Sequence, residues 1–193
     1  GSVSIDAPAS TTGGADVTFK LPVADGSSGQ AMTTNASGQL AFATVAGGKI
    51  LQVVSAETTT ETSITSTTFT DTTLTGTITP SATSSKIWVI TNQRWTMDRA
   101  AIGLYAGIQL LRDSTVIIAG SQYCHGIQVN GNGGNWLGMR DRITWMKMDS
   151  PNTTSAVTYK TQGTCGNTTA NSAAVKFQED SEVSSIFLLE IGA

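Results

Sequence analysis

The sequence carries little charge: only 13% of its 193 residues are Asp, Glu, Lys or Arg, about half the usual share. The Lys and Arg are scattered through a chain of net charge −3, so no basic stripe exists to follow a phosphate backbone, and nucleic-acid binding is not expected. No apolar run approaches the roughly eighteen residues a helix needs to span a bilayer, so membrane insertion is not expected either. There is one histidine, which makes a two- or three-histidine metal site impossible within one chain. Copies of His125 gathered on a three-fold axis could form one, but this is not expected. The two cysteines, Cys124 and Cys165, are too few for a disulfide scaffold and lack the paired spacing of a zinc site. Two small buried thiols are the preferred reading over a bond between them. Gly1-Ser2 reads as the remnant of a removed tag rather than a signal peptide, so the native N-terminus is expected upstream.

What is abundant is Thr, Ser, Gly and Asn. β-Branched and small polar residues in this excess favour strands and turns, because Thr and Val lose side-chain freedom on a helix and fit a pleated surface. Almost no helix is expected. The chain divides in two. Residues 1–48 hold brief apolar islands, among them the alternating Val17, Phe19 and Leu21, between turn signals such as Asp25-Gly26 and Ser37-Gly38. Such a segment has too little apolar surface for a core of its own, and an intertwined shaft in which copies supply the missing faces is preferred over a flexible linker. Residues 49–193 read as about nine strands. These run through 50–54, Thr-rich stretches around Ile64 and Phe69, 73–79, 86–95, 104–112, 116–123, 136–148, 156–162, 174–178 and 184–191. The expected fold is all-β, an antiparallel β-sandwich.

Two strands are apolar on both faces: Ile87-Trp88-Val89-Ile90 and Ile186-Phe187-Leu188-Leu189. A sandwich strand normally alternates inside and outside, so a symmetric neighbour is expected to cover the second face. Ile87, Val89, Ile186, Phe187, Leu188 and Leu189 are the expected contacts of a homo-oligomer.

Little here points to catalysis. Cys124 and His125 are adjacent and, on an extended strand, project to opposite faces, so they make no thiolate–imidazole pair. Nothing singles out two carboxylates as an acid–base couple. Asp141, between Arg140 and Arg142, reads as a paired or solvated charge, and Glu179, Asp180 and Glu182 as an acidic turn facing water. Neither a cofactor, a metal nor a catalytic residue is expected. The amide-rich stretch Gly131-Asn132-Gly133-Gly134-Asn135-Trp136 reads as a loop tip beside an aromatic. Amides hydrogen-bond sugar hydroxyls or peptide backbone, and aromatic rings give a rigid platform. Tyr123, His125, Asn132, Asn135 and Trp136 are the expected ligand contacts, although Trp136 could equally be tucked into the core. Arg94, Trp95 and Arg99 form a second candidate patch, of residue types that often dominate interfaces, serving either a receptor or the subunit contact.

Several stretches resemble the distal parts of bacteriophage tail fibres, especially of marine phages. They are the 21–35 segment Leu-Pro-Val-Ala-Asp-Gly-Ser-Ser-Gly-Gln-Ala-Met-Thr-Thr-Asn, the 37–42 segment Ser-Gly-Gln-Leu-Ala-Phe, Lys49-Ile50-Leu51-Gln52-Val53-Val54, the 78–87 segment from Ile78-Thr79-Pro80 to Lys86-Ile87, the 149–160 segment from Asp149-Ser150-Pro151 to Tyr159-Lys160, and Leu189-Glu190-Ile191. The resemblance implies a homotrimeric fibre tip, jelly-roll-like, on the virion. It would join upstream fibre proteins and attach the particle to a bacterial glycan or outer-membrane protein. No catalytic residue comes with it, and residues 94–140 match no pattern of the family. The alternatives are a structural fibre or decoration module without a ligand and, behind it, a carbohydrate-binding module or depolymerase.

Overall fold

A computed structural model describes residues 20–34, 37, 39–44, 49–99, 104–127, 137–166 and 174–192, the side chains of residues 98, 99, 104, 127 and 137 excepted. The chain forms two compact units, Gly1–Gly47 and Gly48–Ala193. The first contains an antiparallel hairpin of β1 (Gln30–Thr34) and β2 (Leu40–Thr44), with Met32 opposite Phe42. Val17 and Phe19 lie outside the described residues.

The second unit is a sandwich of two antiparallel sheets. Its elements are β3 (Ile50–Thr58), β4 (Thr62–Ile64), β5 (Thr70–Ile78), β6 (Lys86–Arg99), β7 (Leu104–Arg112), β8 (Thr115–Ile118), β9 (His125–Ile127), β10 (Leu137–Asp149), β11 (Val157–Cys165), β12 (Ala174–Phe177) and β13 (Ser184–Ile191). A 3-10 turn, Glu179–Ser181, joins the last two. One sheet runs β3-β13-β6-β12-β4, with β10 on the other side of β6. The facing sheet runs β5-β11-β7-β8, with β9 also paired to β7. Residues 49–193 thus hold eleven described strands rather than about nine, with short strands at β4, on the Thr-rich stretch around Ile64, and at β9, while Phe69 itself precedes β5; the β1–β2 hairpin belongs to the first unit.

Alternation decides what each strand buries. In β5, Thr72, Leu74, Gly76 and Ile78 point inward while the intervening residues face water. Gly76 allows the sheets to close: a Cβ there would meet Ile186 Cγ2 at 3.1 Å. The interior contains two apolar clusters, one around Trp95, Met97, Ile108 and Phe177, the other around Leu74, Ile87, Val89, Tyr159, Ile186 and Leu188. Between them, Gln93 Oε1 accepts from the hydroxyls of Thr161 (2.6 Å) and Thr72 (3.2 Å), and Gln93 Nε2 donates to Ser184 Oγ (3.2 Å). A buried amide is tolerated only when bonded in this way.

The expected oligomer contacts are corrected here. Ile87, Val89, Ile186 and Leu188 are completely buried in the chain's own second cluster, because they sit on the faces of β6 and β13 that meet the other sheet. Only Phe187 and Leu189 of the expected set lie on the opposite, outer face. The cysteines are not joined by a disulfide; Cys165 is buried as expected and Cys124 exposed. Cys124 does not lie on a strand: residues 122–124 form a turn, and its sulfur accepts a hydrogen bond from the Ser121 N–H at 3.0 Å.

Candidate functional site

The topology gives the sandwich two unlike ends. At one, the chain arrives at Lys49 and leaves through Ile191, which pairs with Ile50 of β3 and Lys86 of β6. The turns between β5 and β6, β7 and β8, and β10 and β11 lie at this end, as the pairings of Ile78 with Val157, Arg112 with Thr115 and Asp149 with Ile87 require. At the other end, Arg99 pairs with Leu137, Asp98 with Ala174, Leu104 with Ile127 and Cys165 with Ala106. The strand ends that carry residues 100–103, 128–136 and 167–173 therefore converge there. Two of these segments are rich in side-chain amides, with Gln128, Asn130, Asn132 and Asn135 in one and Asn167 and Asn171 in the other.

Tyr123 belongs to this distal end. It is 58% exposed, on the 122–124 turn, and its ring stands edge-on to Tyr105 with centroids 5.1 Å apart. A ring so propped presents an apolar surface at little entropic cost. Close backbone contact holds the turn in place: a Cβ on Gly107 would meet the Ser121 carbonyl at 2.5 Å, and one on Gly166 would reach the Gln122 carbonyl. His125 is half-buried, its ring 4.8 Å from that of Trp95. Burial pushes the imidazole below its ordinary pKa, the Asp141 carboxylate acting in the opposite direction, so at neutral pH the ring is an uncharged packing group. Asn132, Asn135 and Trp136 lie outside the described residues.

The expected patch of Arg94, Trp95 and Arg99 is not one surface. β6 is a single 14-residue strand, so neighbours point to opposite faces. Trp95 is fully buried in the first cluster. Arg94 faces outward but is only 5% exposed, because the chain from Gln178 to Val183 folds over it. Its Nε lies 2.7 Å from Glu182, and its Nη1 donates to the carbonyls of Trp95 and Asp141. Arg99 ends the strand at the distal end. Of the acidic turn expected to face water, Asp180 does so, and the correction concerns its neighbours. Glu179 is buried and held by Lys176 at 2.5 Å, while Glu182 also meets Arg142 at 3.0 Å. Gln178, Asp180 and Ser181 adopt left-handed backbone conformations that cost non-glycine residues roughly 1–2 kcal/mol each. The ion pairs hold the turn against that strain.

Sequence reasoning missed the outer face of the first sheet as a unit. The registers place Val53, Leu189, Trp88 and Met148 in one row across four strands, and Ser55, Phe187, Ile90 and Met146 in the next. Toward the distal end this face is closed by the strained turn and its ion pairs; toward the Lys49 end none of the described residues of the sandwich covers it. Val53 is 59%, Met146 64%, Met148 46%, Phe187 39% and Trp88 37% exposed. The readable signal was the alternation of Met146, Lys147 and Met148. Among the described residues no group of three or more His, Cys, Asp or Glu is placed to hold a metal ion.

No protein-family model matches the sequence, and no curated protein matches it. Among solved structures, the chain is similar to that of infectious bursal disease virus Gx strain, at TM-score 0.41 and 9% identity over 80% of this chain and 34% of that one. It is similar also to the VP2 subviral particle of the same virus, at TM-score 0.37 and 10% identity over 74% and 33%. For T=1 particles derived from that virus the values are 0.35 and 11% over 80% and 38%. The chain spans less than half the length of each of these proteins.

Proposed function

We propose that this chain is the receptor-binding tip of a bacteriophage tail fibre, a homotrimer that attaches the virion to a glycan or protein on a bacterial surface. Recognition belongs to the end of the sandwich away from Lys49. The observation that carries this reading is the division of labour between the two ends. The turns and the incoming chain occupy one, while the strand ends bearing two amide-rich segments, and the propped Tyr123 beside them, occupy the other. A fibre needs that polarity, because a tip joined at its recognition end could not reach a cell. The order of fibre-like stretches along the sequence supports the same reading. Attachment is binding without chemistry, and the repetition of identical tips on one particle turns weak single contacts into firm adhesion.

Retention of the fluorescently labelled protein on a panel of Gram-negative marine bacteria tests the proposal. Strain-selective retention is expected, lost after periodate treatment of the cells for a glycan receptor or after protease treatment for a protein one. Retention no higher than that of the heat-unfolded chain on every strain would overturn it in favour of a purely structural module. Release of oligosaccharide from purified envelope polysaccharide would overturn it in favour of an enzyme.

A further inference from the structure

We infer that the bare outer face of the first sheet, centred on Trp88, Phe187, Met146 and Met148, is where this chain packs against further copies of itself. The inference rests on the homotrimer proposed above and names the surface through which the copies meet.

The chain treats the two halves of this sheet face differently. The distal half carries Arg94 and Thr96, and its own 178–183 segment covers both so well that they are buried. The half toward Lys49 carries only apolar side chains and Ser55 in its two rows, and none of the described elements covers it. Left to water are five large apolar side chains, each more than a third exposed, with Ile50 and Leu51 beside them at 51% and 49%. Together they expose on the order of 600 Å² of apolar surface, at the top of what a monomer normally shows. One partner in a standard stable interface contributes about 800 Å², so the face is close to the size an association requires.

The chemistry selects the occupant. The two rows contain no carboxylate and no cation; Glu57, Ser185, Asn92 and Thr144 border them on one side, and Ile50, Ile191 and Lys86 on the other, so charge stays at the margins, one of each sign. Copies of a chain with net charge −3 can therefore meet over these two rows without burying a charge. A partner chosen by opposite charge would gain nothing from this surface. The face is an open pleated sheet rather than a groove for a single strand or helix, and in a closed three-fold ring every copy can turn this same face toward the axis. The free edge of β10 is a poorer candidate. Asp141, Lys147 and Asp149 lie on its sandwich side, and charges placed so discourage a further strand from adding.

Sedimentation velocity on the whole chain and three variants tests the inference. Met146→Lys and Val53→Lys change the two most exposed positions of the face and should leave the fold intact, while Thr144→Lys on the bordering row serves as control. The expected result is a trimer for the unmodified chain and for the control, and a threefold fall in mass for Met146→Lys and Val53→Lys with unchanged far-ultraviolet circular dichroism. If the variants stay trimeric, this face is not the contact, and the trimeric tip survives through another surface. If the unmodified chain is a monomer at every concentration, the inference fails together with the trimer, and attachment stands or falls on the cell-retention measurement alone.

Discussion

Replacing Trp95 by Ala is expected to lower the free energy of unfolding by about 3–5 kcal/mol, the cost of truncating a large aromatic in a packed core. The indole is wholly inaccessible and packs with Ile64, Met97, Ile108, Val175 and Phe177, and the His125 ring lies against it. No neighbouring element can collapse into the space, because β6 is pinned on one side by β10 and on the other by β12 and β13. Trp95→Phe should cost far less, since the indole N–H has no partner among the described residues and its loss strands no acceptor. Urea denaturation followed by circular dichroism measures both. A midpoint unmoved by Trp95→Ala would return this residue to the surface patch that its neighbour Arg94 suggested from sequence.

Acid should weaken the sandwich in a defined window, and Glu190 should account for much of the effect. The side chain is 1% exposed at the Lys49 end of β13. Burial alone would raise its pKa. Hydrogen bonds outweigh burial, from the Ser81 N–H and hydroxyl at 2.6 Å each and from Gln52 Nε2 at 3.2 Å, and bring the carboxyl down to about 2. A carboxyl lowered in the folded state stabilises it at pH above the unfolded value and loses that contribution as pH falls through the folded one. The window runs from the ordinary 4.5 down to about 2. The shift corresponds to about 3 kcal/mol at neutral pH. Asp71 and Glu179, lowered through Lys160 and Lys176 respectively, act in the same direction. Urea midpoints should hold steady from pH 7 to 5 and fall below 4.5. Glu190→Gln should start lower at pH 7 and flatten the fall. An equally steep acid loss in that variant would remove Glu190 from the explanation.

Much of the architecture was legible because a strand announces its period. Leu74, Gly76 and Ile78 against Thr73, Thr75 and Thr77 gave both a strand and its buried face. Where both faces are apolar the period falls silent. Ile87-Trp88-Val89-Ile90 shows that something covers each side, but not which side meets the chain's own second sheet. Four of the six expected contacts consequently belong to the core, while Phe187 and Leu189 share the outer face with Trp88 and Met148, residues contributed by other strands. Arg94 and Trp95 failed for the complementary reason, since adjacency in sequence was taken for adjacency on a surface, which an extended strand forbids. The acidic turn escaped because two of its partners, Arg94 and Arg142, are far off in sequence and reach it only through the sheet order, although Lys176, three residues before Glu179, was in view. The distal end could not be read at all before the strand order was known, because residues 104–127 and 137–166 separate its segments along the chain, and short turn signals look alike at either end of a sandwich.

The account turns on which end of the molecule meets the cell, and substitution at each end measures it most directly. On a strain that retains the unmodified protein, Tyr123→Ala should reduce retention about tenfold, the scale of a truncated aromatic hot spot. Ser114→Trp, which places a bulky obstacle on the exposed β7–β8 turn at the Lys49 end, should leave it unchanged. Retention abolished by Ser114→Trp and untouched by Tyr123→Ala would contradict the assignment.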